Sequence, residues 1–508
     1  MTLSTSTRQS GVLLHPTCIP SPYGVGDLGA EARRFLDWLA AAQQQLWQVL
    51  PLNPTTHGNS PYTSPSAFAG NPLLLSLDQL RADGLLSEGD LRDVPRTPGS
   101  QVDFGAVTEH RQVVLGRAHQ AFRAGAGSAL RDAYERFCQE ERGWLDGYAL
   151  FTALKQQHAG KSWTQWDADI AAHDAAAVAR WERELAVEVD RERFLQFLFA
   201  RQWAALRQYA HQKGIRIIGD MPIFVAFDSA DVWAHRHLFK LDHKGERKVV
   251  AGVPPDYFSE DGQLWGNPLY NWEAMAADGY AWWAARVRAV ARTVDVIRID
   301  HFRGFAAAWE VPAGEKTAKN GRWVKGPGRA VFDAVNRALG PVPFIAEDLG
   351  IITEDVEELR DGLNLPGMKI LQFAFGEDPD NLYLPHNHVE RCVVYTGTHD
   401  NDTTQGWFRS LDAKTRTHVQ EYLARDGHDI AWDLIRAAWS SVASVAIAPL
   451  VDVLNLGGEA RFNTPGVAAG NWAWRYRAED LADHVAARLA HVTRLYGRAH
   501  QPPKPKKV

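Results

Sequence analysis

Acidic residues recur at one kind of place in this sequence, the end of a short apolar run rich in β-branched residues. "IRIIGD" ends in Asp220, "DVIRID" in Asp300, "PFIAED" in Glu347 and Asp348, and "CVVYTGTHD" in His399 and Asp400. Paired carboxyl groups divide proton work: an ionised one attacks or stabilises a positive centre, and a protonated one delivers the proton to a leaving oxygen. Cleavage of a glycosidic bond needs both. A third carboxylate can grip hydroxyls, and its charge helps keep a neighbouring acid protonated near pH 7. Arg298 stands two residues before Asp300, so strand period two turns both to one face. A guanidinium there keeps the aspartate ionised. Taken alone, Arg298 and Asp300 also read as a barrel-filling ion pair, and each other acid as a helix N-cap. Three acids at strand ends, two of them beside a histidine, argue jointly for a site.

Eight apolar runs could carry such residues: 11–16, 47–54, 215–225, 294–302, 343–350, 368–376, 392–400 and 445–454. Between them lie helical patterns such as "AEARRFLDWLAAAQQQL" and "GYAWWAARVRAVARTV". Eight strands alternating with helices predict an α/β fold, a (β/α)8 TIM barrel with helical and loop insertions, in which chemistry sits at the C-terminal strand ends. The spacing predicts one catalytic unit over 1–508. Within it, 73–200 is mostly helical, 228–285 is a loop insertion covering the cleft, 310–330 is a short insertion, and 501–508 is a disordered basic tail.

Composition removes other classes. A net charge of −6 argues against nucleic acid as a partner. Three scattered cysteines give neither a disulfide framework nor metal-ligand spacing, and no run of 18 apolar residues or signal core occurs, so a cytoplasmic protein without a membrane partner is expected. "GVGDLG" at 24–29 spells a dinucleotide fingerprint, but Pro16, Pro20 and Pro22 separate it from the preceding strand, so its glycines are expected to shape a loop. The pairs His235/His237 and His386/His388 do not stand at strand ends, so no metal is expected, and no nucleophile elbow or phosphate-binding loop appears. The 19 Trp and 13 Tyr supply flat amphipathic surfaces that suit sugar rings, although many must be packing anchors.

"SPYGVGDLG", "NSPYTSPSAFAGNPLLL", "GDMPIFVAFDSADVW", "GVPPDYFSEDGQLWGNPLYNW", "RIDHFRGF", "AEDLG" and "GTHDNDTT" together resemble the 4-α-glucanotransferase (amylomaltase) family of the α-amylase superfamily, over almost the whole chain. The resemblance implies transfer of α-1,4-glucan segments without a cofactor, from a donor to the 4-hydroxyl of an acceptor glucan or glucose, by a monomer or small homo-oligomer. It implies Asp300 as nucleophile, Glu347 as general acid and base, and Asp400 as transition-state stabiliser at the −1 sugar. Arg298, His301 and His399 would support that sugar, and Asp220 would shape the site. Tyr62 would line the donor side, and Tyr257, Trp265 and Asn267 would lie over the cleft. Phe227 stands where the family leads one to expect Tyr. A hydrolase of the same superfamily and a non-catalytic glucan-binding protein remain as alternatives.

Overall fold

A computed structural model of the chain describes residues 8–56, 58–92, 94, 100–255, 259–376 and 378–500. Twelve strands are described: β1 (Gln9–Leu13), β2 (Leu46–Gln48), β3 (Arg216–Pro222), β4 (Val249–Val253), β5 (Gln263–Pro268), β6 (Val296–Asp300), β7 (Ala307–Pro312), β8 (Arg322–Lys325), β9 (Phe344–Ala346), β10 (Gly367–Ile370), β11 (Cys392–Tyr395) and β12 (Val445–Pro449). Eight of them form one parallel sheet in the order β10-β11-β12-β1-β2-β3-β6-β9. The Ala346 amide donates to the Pro366 carbonyl at 2.9 Å, which brings the two ends together. The result is the expected (β/α)8 barrel, and its strands are the eight apolar runs.

Helices cover the barrel because their apolar residues recur at helical spacing. Helix Ala30–Ala41 buries Ala32, Phe35, Leu36, Trp38 and Leu39, and Phe35 meets the Trp47 ring of β2 edge-on at 5.5 Å. Helix Ala281–Thr293 buries Arg286 beside Trp282 and Trp283. Arg286 donates to the Ile223 carbonyl at 2.9 Å and to that of Pro222, propping the end of β3. In the 73–200 segment, helices Phe104–Arg123, Arg131–Gln157 and the start of Ala186–Gln212 pack against one another.

The segments 228–285 and 310–330 correct the sequence reading, which treated the first as loop. They supply most of a four-stranded antiparallel sheet, β5-β4-β7-β8. Its outer strands hide from pattern reading: Gln263, Leu264 and Trp265 in β5 are all exposed, as are three of the four residues of β8. Without an inner and an outer face there is no alternation to find. The 501–508 tail lies outside the described residues.

The glycines of "GVGDLG" do shape a loop. A side chain at Gly26 would meet the Pro16 carbonyl at 1.9 Å, and Gly24 has φ +82°. Asp27 is tied to Ser21 and to the Gly29 amide at 2.8 and 2.9 Å.

At the opposite end of the barrel Arg498 is fully buried. It donates to the carbonyls of Trp439, Gln9 and Ala443 at 2.8, 2.9 and 2.8 Å, joining the last described turn to the first strand and to helix Ile430–Ser440. Arg498→Met strands several buried carbonyls, each worth about 1–3 kcal/mol. A urea midpoint equal to that of the wild type would show that Arg498 is no lock.

Candidate active site

The strand ends gather the predicted acids on one rim. Arg298 and Asp300 occupy alternate positions of β6, and register sets Asp220 of β3 beside Arg298. The Arg298 Nη1 donates to both oxygens of Asp220 at 2.7 Å and to Asp300 Oδ1 at 3.0 Å. Its Nε donates to the Met368 sulfur at 3.3 Å. The side chains of Arg298 and Asp220 are 4% and 0% exposed, whereas that of Asp300 is 29% exposed, so a ligand reaches Asp300 and not Asp220. Asp220 is joined to the site by its hydrogen bonds from Arg298 and Tyr62. Tyr62 donates to Asp220 Oδ2 at 2.6 Å and stacks on the His399 ring at a centroid separation of 4.9 Å.

Glu347 follows β9, whose Ala346 is paired with Ile299 of β6. Its Oε2 accepts from the His301 amide at 2.5 Å and its Oε1 from the Leu349 amide at 3.1 Å. His301 has φ +53°, a left-handed turn that aims its N–H at the glutamate. Among the described residues no guanidinium is hydrogen-bonded to Glu347, and burial pushes it up to about 8, with the Asp300 charge adding to the rise against the pull of Arg298. Burial also lifts Asp300, to about 6, against the opposing pull of Arg298. Near pH 7 the aspartate is therefore mostly ionised and the glutamate mostly protonated, two carboxyls set apart by their environments. Burial drops His301 to about 3 and holds its ring neutral.

Asp400 stands on the loop after β11 with its side chain 48% exposed. Burial would raise it, but the His399 charge and hydrogen bond, with a 2.6 Å hydrogen bond from Asn463, hold it well below the usual carboxylate range. Burial works against the His399 charge as well, yet Asp400 outweighs it and leaves that histidine raised. Asp348, next to Glu347, is turned away: it accepts from the Met368 amide at 2.7 Å and from Arg360 at 2.6 Å.

On the other wall, Trp265 is 38% exposed and meets the His301 ring edge-on at 4.7 Å. Asn267 Nδ2 donates to the Val225 carbonyl at 2.9 Å, tying β5 to the loop after β3. Tyr257 lies outside the described residues. Phe227 packs on Trp163 at 5.4 Å beneath the Arg247 guanidinium, a place where no phenolic hydroxyl is required. Among the described residues no group of three or more His, Cys, Asp or Glu could hold a metal ion.

Several residues escaped sequence reading. Asp452, just after β12, accepts from Thr396 Oγ1 at 2.5 Å, from the Thr404 amide at 2.7 Å and from Thr404 Oγ1 at 2.8 Å. It thus pins both ends of the loop that carries His399 and Asp400. His15, at the end of β1, is buried and held neutral at about 3 by burial and by the neighbouring His399 charge. Trp472 packs 6.0 Å from Tyr62 and 5.9 Å from His399. His15 and Asp452 had a legible signal, a polar residue at or just past the end of an apolar run, whereas Asn463 and Trp472 lie in a stretch without pattern.

The comparisons with known proteins agree with this geometry. A family model described as 4-alpha-glucanotransferase matches residues 14–481. The chain is 50% identical over 495 residues to a 4-alpha-glucanotransferase of Synechocystis sp., covering 97% of this chain and 98% of that one. It is 48% identical to one of Thermus thermophilus, covering 95% and 97%. A solved structure of amylomaltase from Streptococcus agalactiae in complex with acarbose superposes with a TM-score of 0.94 at 38% identity, covering 97% of this chain and all of that one. With its barrel, its rim of carboxylates and relatives matched from end to end, the chain belongs to the 4-alpha-glucanotransferase family.

Proposed function

We propose that this enzyme, a 4-alpha-glucanotransferase acting on α-1,4-glucans, works by a retaining double displacement in which Asp300 is the nucleophile and Glu347 the general acid and base. The observation that carries the reading is the contrast between the two groups. Asp300 has the Arg298 guanidinium at 3.0 Å, whereas Glu347 is hydrogen-bonded by backbone amides.

An Asp300 oxygen attacks the anomeric carbon as the glycosidic C–O bond breaks, and Glu347 gives its proton to the departing oxygen. The reducing-end piece leaves and the donor stays joined to Asp300 as an ester. Glu347, now ionised, takes the proton of an incoming 4-hydroxyl. That oxygen bonds to the anomeric carbon and expels Asp300. Asp400, ionised and open to the cleft, accepts hydroxyl hydrogen bonds from the −1 sugar as its ring flattens. Tyr62 and His399 give that sugar a wall, and Trp265 and Asn267 guide the chain over it. The whole chain serves as one catalytic unit, in a reducing compartment such as the cytoplasm, in keeping with three free cysteines.

Preference for a sugar over water rests on acceptor binding energy and on covering the site. Incubation with maltotriose tests this directly. Transfer yields glucose together with oligosaccharides longer than maltotriose; products that are only shorter would make the enzyme a hydrolase, and binding without products would make the site non-catalytic. Among the described residues no helix is long and apolar enough to cross a membrane.

A further inference from the structure

Of the 19 tryptophans in the sequence, only Trp265 and Trp323 are exposed among the described residues, at 38% and 39%. Trp265 borders the cleft at His301. Trp323 has no place in the mechanism above, yet it is held firmly. It lies on β8 opposite Trp309 of β7, whose ring meets it edge-on at 5.2 Å. The Arg303 guanidinium lies 3.8 Å over its ring. Arg303 is itself fixed by the Ile351 carbonyl and, at 3.4 Å, by Thr353 Oγ1.

These contacts locate the ring. Arg303 follows Asp300 by three positions, and Ile351 follows Glu347 by four. Trp323 is therefore tethered to the segment just beyond Glu347. Sheet pairing puts Leu264 in register with Gly252, Gly252 with Trp309, and Trp309 with Trp323, so Trp265, one residue on, faces the other way. The two rings serve different stretches of a chain.

Trp323 borders a groove of about 620 Å³ whose other walls include Lys325, Arg329, Asp355, Glu358 and Leu359. An indole already fixed by a cation loses little freedom when something stacks on it. Charged groups of both signs around an aromatic face suit a neutral ring with an apolar C–H side and a hydroxyl edge. We propose that this groove is an outer subsite for the distal glucosyl units of long α-1,4-glucans on the acceptor and leaving-group side. This rests on the assignment of Glu347 as the acid that faces that flank.

The experiment compares the KM for long-chain amylose with the KM for maltotriose in the wild type, Trp323→Ala and Trp323→Phe. On this proposal a short substrate ends before the groove. In Trp323→Ala the ratio of the two constants rises on the order of tenfold, the equivalent of one well-placed aromatic contact, and in Trp323→Phe it returns most of the way to wild type. A ratio within twofold of wild type in Trp323→Ala overturns the subsite, as does a Phe variant as impaired as the Ala variant. Wild-type enzyme that only shortens maltotriose overturns the transfer reading instead, and the amylose comparison still reports on the groove.

Discussion

Asp300→Asn is expected to cut turnover with maltotriose on the order of 10⁴-fold, ~5 kcal/mol of transition-state stabilisation, while the sugar still binds. An amide has the shape of the carboxylate and can keep the hydrogen bond from Arg298, which in any case remains anchored by Asp220 at 2.7 Å. What it cannot do is form the ester with the anomeric carbon. The loss should therefore appear in kcat, with calorimetric affinity for maltotriose near that of the wild type. Near-normal turnover in this variant would sink the assignment of Asp300, and lost affinity with turnover kept would recast it as a binding residue.

Glu347→Gln is expected to trade activity for stability. On the proposed mechanism, activity requires Asp300 ionised and Glu347 protonated, so kcat/KM should trace a bell with limbs at about 6 and about 8. Those limbs belong to the pair of carboxyls rather than to either alone. Glutamine cannot give the proton, so turnover should fall about 10²–10⁴-fold and the alkaline limb should vanish. The stability sign is opposite. A carboxyl raised from 4.5 to about 8 on folding binds more protons in the native state between those values. Raising pH through that window therefore removes stability from the wild type. The amide has no such titration. Glu347→Gln should be more stable near pH 8, on the order of 2 kcal/mol once partial exposure is allowed for, and the difference should disappear near pH 4. Denaturation midpoints at the two pH values check it; an unchanged midpoint near pH 8 would mean that Glu347 is not held protonated by its surroundings.

The barrel was legible because a strand buried on both faces announces itself as a run of Val, Ile and Leu, and because four of the eight runs end in acidic residues. The pair Arg298 and Asp300 was also legible, since period two leaves no doubt that they share a face. What reading the chain could not supply was the third partner. Asp220 takes the larger share of Arg298, and the two lie 78 positions apart. The second sheet stayed hidden because edge strands exposed on both sides carry no alternation. Asp452 stands at the end of an apolar run, but its task was not legible, because it is done through Thr396 and Thr404, polar residues of ordinary type that only the closed barrel brings to it.

That closure has a consequence for how the enzyme comes into being. The first strand is the first part of the barrel to be synthesised, yet Gln9 pairs with Val445 and Arg498 stitches the same strand from almost the other end of the chain. At about 5–20 residues per second the ribosome needs on the order of tens of seconds to deliver the partner, and β1 keeps one bare edge for all of that time. Folding of the barrel must therefore finish after nearly the whole chain has been made. A message cut short before β12 leaves β1 without its partner on that edge, an open sheet rather than a smaller barrel.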